Sequence, residues 1–572
     1  MPQLLFRPGN RAIGADWVLL VVALAVLLGI ASAVGAAWVC DDSFISFRYA
    51  ENLVNGKGLV YNAGERVEGY TNPLWTLLIA ASLWAGLSAE VAATALGIGC
   101  YVLLVACLLL WSLDRARQSR PFLPLAAMLV LVLGDHRTWA TGGLETSLFT
   151  LLSVAGVLAT LRPGRLPGGS LTAGSLLGLA VLTRPDGLLF AAVGVASTWS
   201  LTHQLPGRRR LARAAAVAAP IVVLAAGLGA FKLLYYGELL PTAYYSKSAL
   251  SPYYSQGLIY LGLYLAKNWF LAPLALVLLW VSRRNPVGPV DREKVVLFAA
   301  GSLFTGYVVH SGGDFMFARR LIPAMPFLYL LMEHWLVEIP QQRAAKSIFA
   351  TAVVLGLLPF PVYSGGDGRI RGISDEPSFY PPSVVEIRKR QAEFIGQALA
   401  GTDVRVMFQG GMCMFGYYSK LPYLAEMTGL TQYSLAKLPI EERGAIGHEK
   451  KPDARWLTGN RIHLIIEQRY PPEKPDARRH RFDDIHFSNL AKGKIWIYSE
   501  QVMGPLREDR RILFTPIEEV IEQKAEQMRQ STREEARAVY EMLDRYYFRW
   551  ARGGERESAR LRAIVRGRPS AD

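Results

Sequence analysis

Apolar runs separated by short polar loops fill the first 364 positions, after which the chain becomes charge-rich and mixed in character. A helix that crosses about 30 Å of hydrocarbon needs about 20 apolar residues, so the runs are of spanning length or near it. The first run, residues 15–39, follows Arg7 and Arg11 and is longer than the apolar stretch of a secretion signal, typically about 7–15 residues. Trp38 and Val39 before Cys40 also lack the small side chains of a lipoprotein cleavage site. It therefore reads as a retained first helix with its N-terminus in the cytoplasm. Beyond residue 364 the pattern changes. Residues 403–411 and 462–467 are apolar runs of strand length, 495–498 is a shorter one, and 385–399 and 517–550 have helical period. These features predict a polytopic α-helical membrane unit over 1–364, with about 11–13 helices, and a mixed α/β soluble unit over 365–572.

Charge sharpens that division. The chain has 572 residues and a formal charge of +15, and only 19% of its residues are charged. The last 208 positions hold 35 of the 62 basic and 30 of the 47 acidic residues, so the helical part is strongly depleted in charge. Its basic residues cluster in loops 1–16, 114–121, 161–169, 203–213, 282–294 and 339–346. Alternating with these are loops 40–72, 135–146, 183–187, 235–257 and 310–320, rich in carboxylates, aromatics and glycine. Lys and Arg accumulate on the cytoplasmic side, so the alternation predicts about eleven crossings with the C-terminal unit outside. Residues 73–113 break the parity: they are long enough for two helices where the charge rule needs an odd number of passes. Four scattered cysteines exclude a disulfide framework. The absence of a basic stripe interleaved with aromatics argues against nucleic acid as a partner.

The acidic loops carry the candidate chemistry. Asp41 and Asp42 stand side by side where the first run ends. Ionisable groups at a bilayer boundary are costly to desolvate, which points to function. Adjacent carboxylates repel, so one suits a general base while the other orients a hydroxyl or a metal. Asp42 equally suits the N-cap of an amphipathic helix over 43–54 that lays Phe44, Phe47 and Val54 on the membrane face. Acids of this type also offer hard oxygen ligands for a divalent cation, although no His/carboxylate spacing specifies a site.

The Asp-Asp pair is followed by Gly56-Lys-Gly-Leu-Val-Tyr-Asn62 and Gly64-Glu-Arg-Val-Glu68. Later come Ala140-Thr-Gly-Gly-Leu-Glu145, Leu182-Thr-Arg-Pro-Asp186, Leu240-Pro-Thr-Ala-Tyr-Tyr-Ser-Lys247 and Gly312-Gly-Asp-Phe-Met-Phe-Ala-Arg-Arg320. In this order the blocks resemble the GT-C superfamily of glycosyltransferases, and within it the terminal β-(1→2) arabinofuranosyltransferase family of the mycobacterial cell wall. The chain departs from that family's pattern at Gly69-Tyr70-Thr71-Asn72-Pro73. The resemblance implies an enzyme of the bacterial inner membrane that takes a sugar, arabinofuranose in this family, from a polyprenyl-phosphate donor. The acceptor would be an envelope glycan or glycoprotein on the outer face, and part of the superfamily works without metal. Asp41 and Asp42 would then be catalytic. Lys247 with Arg319 or Arg320 would hold the donor phosphate, since cations that stay charged beside lipid suit that role. Arg48, Glu68, Tyr70, Glu145, Arg184, Tyr244, His310 and Asp314 would line the substrate site. Several of these residues also have plain structural readings. Glu145 complements the positive end of a helix, Arg184 pairs with Asp186, and Asp314 suits an Asx turn. A transporter of a lipid-linked or anionic solute, and a non-catalytic envelope or motility assembly factor, are the rival classes.

Overall fold

The structure, a computed structural model, describes residues 16–117, 121–163, 168–247, 252–284, 291–363, 368–409, 413–440, 447, 449–467, 484–487, 491–508, 512–513, 517–550 and 554–567. The expected boundary at 364/365 lies outside them. The first part is helical throughout. Among the described residues two helices, Ala89–Ala116 and Gly207–Tyr236, are long and apolar enough to cross a bilayer. The number is four if two bent pairs each count as one span: Gly134–Thr141 with Thr146–Leu161 (118°) and Tyr254–Lys267 with Leu271–Arg284 (81°). Their outward faces keep large apolar side chains exposed, among them Leu110, Val222, Val223 and Leu276, as a lipid-facing surface requires. Close packing inside the bundle rests on small residues. A Cβ on Gly174 would lie 2.2 Å from the Val217 carbonyl oxygen, which brings helices Ser170–Thr183 and Gly207–Tyr236 almost into backbone contact.

The irregular stretch at 73–113 forms two helices. Pro73–Trp84 has 12 residues and Ala89–Ala116 has 28, joined by a turn whose Ser88 caps the second. At 1.5 Å per residue the first reaches only about 18 Å, short of a span, while the second reaches about 42 Å. By length and composition the second alone suffices for a full pass.

The two sets of loops gather separately. Asn72, Glu145, Arg184 and Arg319 meet in one cluster of acidic-set side chains. Arg162 pairs with Asp114 and Glu293, and Lys294 with Glu338, among the basic-set loops.

Later in the chain a short antiparallel pair, β1 (Arg369–Ile370) and β2 (Ile373–Ser374), precedes helix Pro382–Ala398. A six-stranded sheet follows. Its strands are β3 (Arg405–Gln409), β4 (Tyr423–Glu426), β5 (Leu464–Glu467), β6 (Asp484–Phe487), β7 (Ala491–Ile495) and β8 (Ile512–Leu513). They are ordered β4-β3-β5-β7-β6-β8, parallel across β4-β3-β5 and antiparallel beyond. The helical period over 517–550 resolves into Ile517–Gln530 and Arg533–Leu543, broken where Thr532 and Glu535 form a reciprocal capping box.

Candidate active site

The loop after the first helix is stitched to two other parts of the chain. Cys40 N–H and the Ser43 hydroxyl both donate to the Gly142 carbonyl (3.0 and 2.9 Å). Asp41 is 2% exposed and accepts the backbone N–H groups of Cys413 (2.8 Å) and Met414 (3.0 Å), one on each carboxylate oxygen. Burial raises the Asp41 carboxyl, and the two amides pull the other way. Asp42, half-buried, occupies the N-cap position of helix Ser43–Val54 but makes no capping bond, and its carboxylate has no hydrogen-bond or ion-pair partner among the described residues. That helix is buried along most of its length, Phe44 and Phe47 included. Arg48 donates to the carbonyls of Tyr61 (2.8 Å), Leu421 (2.8 Å) and Gly416, and its guanidinium lies 4.8 Å from the Tyr61 ring centroid.

Glu145 stands at the break of the sharply bent helix pair and acts as a hub. Its carboxylate, 1% exposed, pairs with Arg184 (2.8 Å) and Arg319 (3.2 Å) and accepts from the Asn72 amide (2.8 Å). Burial alone would raise this carboxyl, but Arg319, Arg184 and Asn72 together bring it down to about 2. Arg184 also grips Asp186 through two parallel bonds of 2.9 and 2.8 Å. Burial likewise opposes ionisation of Asp314, and Lys247, Arg319, Arg320 and Arg184 override it.

The loop at 312–320 is held in a strained shape. Gly312 and Gly313 have φ of 85° and 75°, and Ala318, a non-glycine residue, has φ of 63°. Left-handed backbone at an alanine persists only where neighbours enforce it. Here Tyr260 donates to the Met316 carbonyl (2.8 Å), Trp139 to that of Phe317 (2.9 Å), and Ser374 N–H to that of Phe315 (2.6 Å). The result aims Arg319 and Arg320 into one cavity.

That cavity, of about 220 Å³, is lined by Thr71, Arg184, Asp186, Tyr244, Lys247, Tyr307, Asp314, Arg319 and Arg320 among others. Four cations (Arg184, Lys247, Arg319, Arg320) face three carboxylates (Glu145, Asp186, Asp314), leaving one net positive charge. Arg184 and Arg319 are neutralised by these acids. Lys247 and Arg320 make no direct ion pair among the described residues, although both act on Asp314 by charge. Among the described residues the Arg320 guanidinium donates to the Ser311 hydroxyl (2.8 Å) and the Gly313 carbonyl (2.9 Å), and its buried Nε has no partner there. Lys247 ends the short helix Thr242–Ser246, and its ammonium has no hydrogen bond or ion pair among the described residues. Two donors without ion-pair partners among the described residues, beside a set of ion pairs, give the cavity the capacity to take up an anion.

The chain is 32% identical to the terminal β-(1→2)-arabinofuranosyltransferase of Mycobacterium tuberculosis over 347 residues, 53% of each chain. It is 27% identical over 374 residues to the enzyme of the same name from Corynebacterium glutamicum, covering 56% of this chain and 52% of the relative. It therefore spans about half the length of the curated relatives it matches. No protein-family model matches the chain. Among solved structures, ArnT from Cupriavidus metallidurans bound to undecaprenyl phosphate superposes with a TM-score of 0.53 at 14% identity, over 80% of this chain and 93% of that one. The two chains share a fold.

Not every residue singled out in the sequence meets this cavity. Lys247, Arg319, Arg320, Arg184, Tyr244 and Asp314 line it, and Glu145 binds two of them. Asp41, Asp42, Arg48, Glu68, Tyr70 and His310 do not. Asp42 acts on it through charge, as one of the acids that hold Arg319 protonated. Glu68 is fully buried against Lys232 (2.8 Å), and its backbone carbonyl anchors Thr242 (2.9 Å) at the start of the Lys247 helix. The Tyr70 hydroxyl meets that of Tyr236 (3.0 Å), and His310 meets the Tyr254 hydroxyl (2.8 Å). Glu376, which the sequence reading passed over, lies close enough to Asp42, Asp314 and Asp41 to feel all three charges. It sits among ordinary polar residues, in Asp375-Glu376-Pro377, with no local signal to mark it.

Asp41, Asp42 and Cys413 offer ligand atoms within 4.8 Å of one another. The set does not fit a divalent cation of the oxygen-seeking class. Each Asp41 oxygen already accepts one amide, and burial with the two aspartates pushes the Cys413 thiol well up, keeping it a neutral, soft donor, so only two hard ligands remain in the set. At the basic-loop end, His334 faces Asp291 with one ring nitrogen (3.6 Å) and Glu293 with the other (3.7 Å), an arrangement that sandwiches an imidazole and shares no nitrogen between both acids.

Proposed function

We propose that this chain is a membrane glycosyltransferase that moves arabinofuranose from a polyprenyl-phosphate donor to a glycan or glycoprotein acceptor of the cell envelope. The observation that carries this reading is the cavity in which Lys247 and Arg320, without carboxylate partners, stand beside the ion-paired Arg184 and Arg319. Such a cavity suits a phosphate whose negative charge grows as the sugar leaves. Preorganised cations at the site of developing charge are usually the largest contribution to this kind of catalysis. The names of the curated relatives support the sugar, and undecaprenyl phosphate on a chain of the same fold supports the donor.

In this reading Asp42, the unpaired member of the acidic pair, takes the proton of the acceptor hydroxyl. The acceptor oxygen bonds to the anomeric carbon, the bond from that carbon to the phosphate oxygen breaks, and its electron pair leaves with polyprenyl phosphate. Asp41 positions the loop. Residues 1–364 form the membrane unit of the bacterial inner membrane with a cytoplasmic N-terminus. Residues 365–572 form an extracytoplasmic unit that helps hold the acceptor.

The test is transfer by purified full-length protein from synthetic polyprenyl-phosphate pentose and hexose donors. The expected result is transfer of the arabinofuranosyl donor, lost in Asp42→Asn. Full transfer by that variant, or no transfer from any donor, overturns the reading.

A further inference from the structure

Lys247, one of the two cavity cations without an ion pair among the described residues, is carried by a helix of only five residues, Thr242–Ser246. So short a helix is not stable by itself, and its position is set by what its side chains grip. Thr242 and Ser246 stand one turn apart, both fully buried, and both hydroxyls reach a distant part of the chain. Ser246 donates to the Thr428 carbonyl (2.7 Å). The Thr242 hydroxyl has the Leu430 carbonyl at 2.5 Å and that of Glu68 at 3.1 Å, and its one proton serves the nearer. The Thr242 N–H takes the Glu68 carbonyl instead (2.9 Å). The helix is therefore seated on the turn that follows β4.

One side chain shapes that turn. Glu426, the last residue of β4, is buried, and a single oxygen of its carboxyl accepts the Thr428 N–H (2.9 Å), the Thr428 hydroxyl (2.5 Å) and the Leu430 N–H (3.2 Å). Its own N–H donates to the Thr431 hydroxyl (3.1 Å). Thr428 and Leu430 thus give their amides to Glu426 and their carbonyls to Ser246 and Thr242. Gly429 between them has φ of 87°, and a Cβ there would lie 2.7 Å from the Ala436 nitrogen, so the turn is tightly packed behind as well. The same part of the chain also comes close to Lys247 itself: a Cβ on Gly447 would lie 3.2 Å from Lys247 Cε.

We propose that Glu426 is a positioning residue for the anion cavity: it fixes the turn at 428–430, the carbonyls of that turn hold Thr242 and Ser246, and the helix between them sets Lys247 in place. The inference rests on the reading above, under which Lys247 meets the donor phosphate. Three buried donors converge on Glu426. Without it they are left to find other acceptors, and the two carbonyls that seat the helix move with them. Glu426 does not itself line the cavity, so its effect on a bound phosphate passes through Lys247.

The experiment is a double-mutant cycle on the binding of undecaprenyl phosphate to the purified full-length protein in detergent. Kd is measured for wild type, Glu426→Ala, Lys247→Ala and the double variant. Lys247→Ala is expected to raise Kd about tenfold, as for a lost charge-assisted hydrogen bond. Glu426→Ala is expected to raise it about fivefold, but less than about twofold once Lys247 is already Ala, because groups acting through one contact are not additive. A merely structural role would lower the melting temperature and leave the two losses additive. Additive losses, or a wild-type Kd in Glu426→Ala, overturn the proposal while the anion site stands. If Lys247→Ala also binds as wild type does, the phosphate role of Lys247 and this proposal fall together. Should Glu426→Ala fail to fold, Thr242→Val, which keeps the shape and breaks the same path at its next bond, takes its place in the cycle with the same expectations.

Discussion

Asp41 and Asp42 are chemically identical neighbours with different fates, and the difference lies in what their oxygens touch. Both oxygens of Asp41 are spent on the amides of Cys413 and Met414, whereas Asp42 has no partner among the described residues. Asp42→Asn should therefore lower transfer by about 10²–10⁴-fold, the range for a lost general base, without changing the melting temperature. Asp41→Ala should mainly cost stability, about 1–3 kcal/mol for each of the two buried amides left without an acceptor, measured by thermal unfolding in detergent. Glu145 gives a pH signature. Its folded-state carboxyl titrates at about 2, below the usual carboxylate range near 4.3, so its contribution is complete above that range and disappears as the pH falls toward 2. Melting curves between pH 6 and 2.5 should show this loss, and Glu145→Gln should be less stable at pH 6 and flatter with pH. At the anion site, Lys247→Ala and Arg320→Ala should each raise donor KM and lower kcat, together by about 10²-fold in kcat/KM, because both meet the phosphate before and after it leaves.

Among the elements, the loop at 312–320 decides the site's geometry. A Cβ on Gly313 would lie 2.4 Å from the Tyr260 ring, and its φ of 75° disfavours any side chain. Gly313→Ala should displace Arg319 and Arg320 and abolish transfer, with a lowered melting temperature as the accompanying readout. Much of this region was legible in the sequence. An Asx turn at Asp314 and the Arg184–Asp186 pairing were among the readings weighed. The alternating loop charges separated the two groups of loops that the structure brings together. What could not be read was which candidates face inward. Glu68, Tyr70 and Arg48 look like ligands by type, but their partners (Lys232, Tyr236, and the carbonyls of Gly416 and Leu421) come from sequence distances of more than 160 residues. Glu376 was invisible for the same reason. The strand expected at 495–498 instead occupies Ala491–Ile495, because pairing with β5 and β6 sets its register.

For the molecule as a whole, Arg48 is the seam. Replacing it by Ala leaves the Gly416 and Leu421 carbonyls without this donor at a buried place, while Tyr61 keeps the Asn52 amide (3.0 Å). The expected outcome is faster hydrogen exchange across residues 413–424 and a loss of a few kcal/mol at about 1–3 kcal/mol per orphaned group. Asp41 and Asn62 cross the same boundary, the latter through paired bonds to Leu424 of 2.9 and 3.0 Å. Evolution thus inherits the opening loop and the sheet edge as a single package. A chimera that grafts a relative's C-terminal half onto this bundle should assemble only if residues 40–72 travel with it, so that half cannot be exchanged like a detachable module.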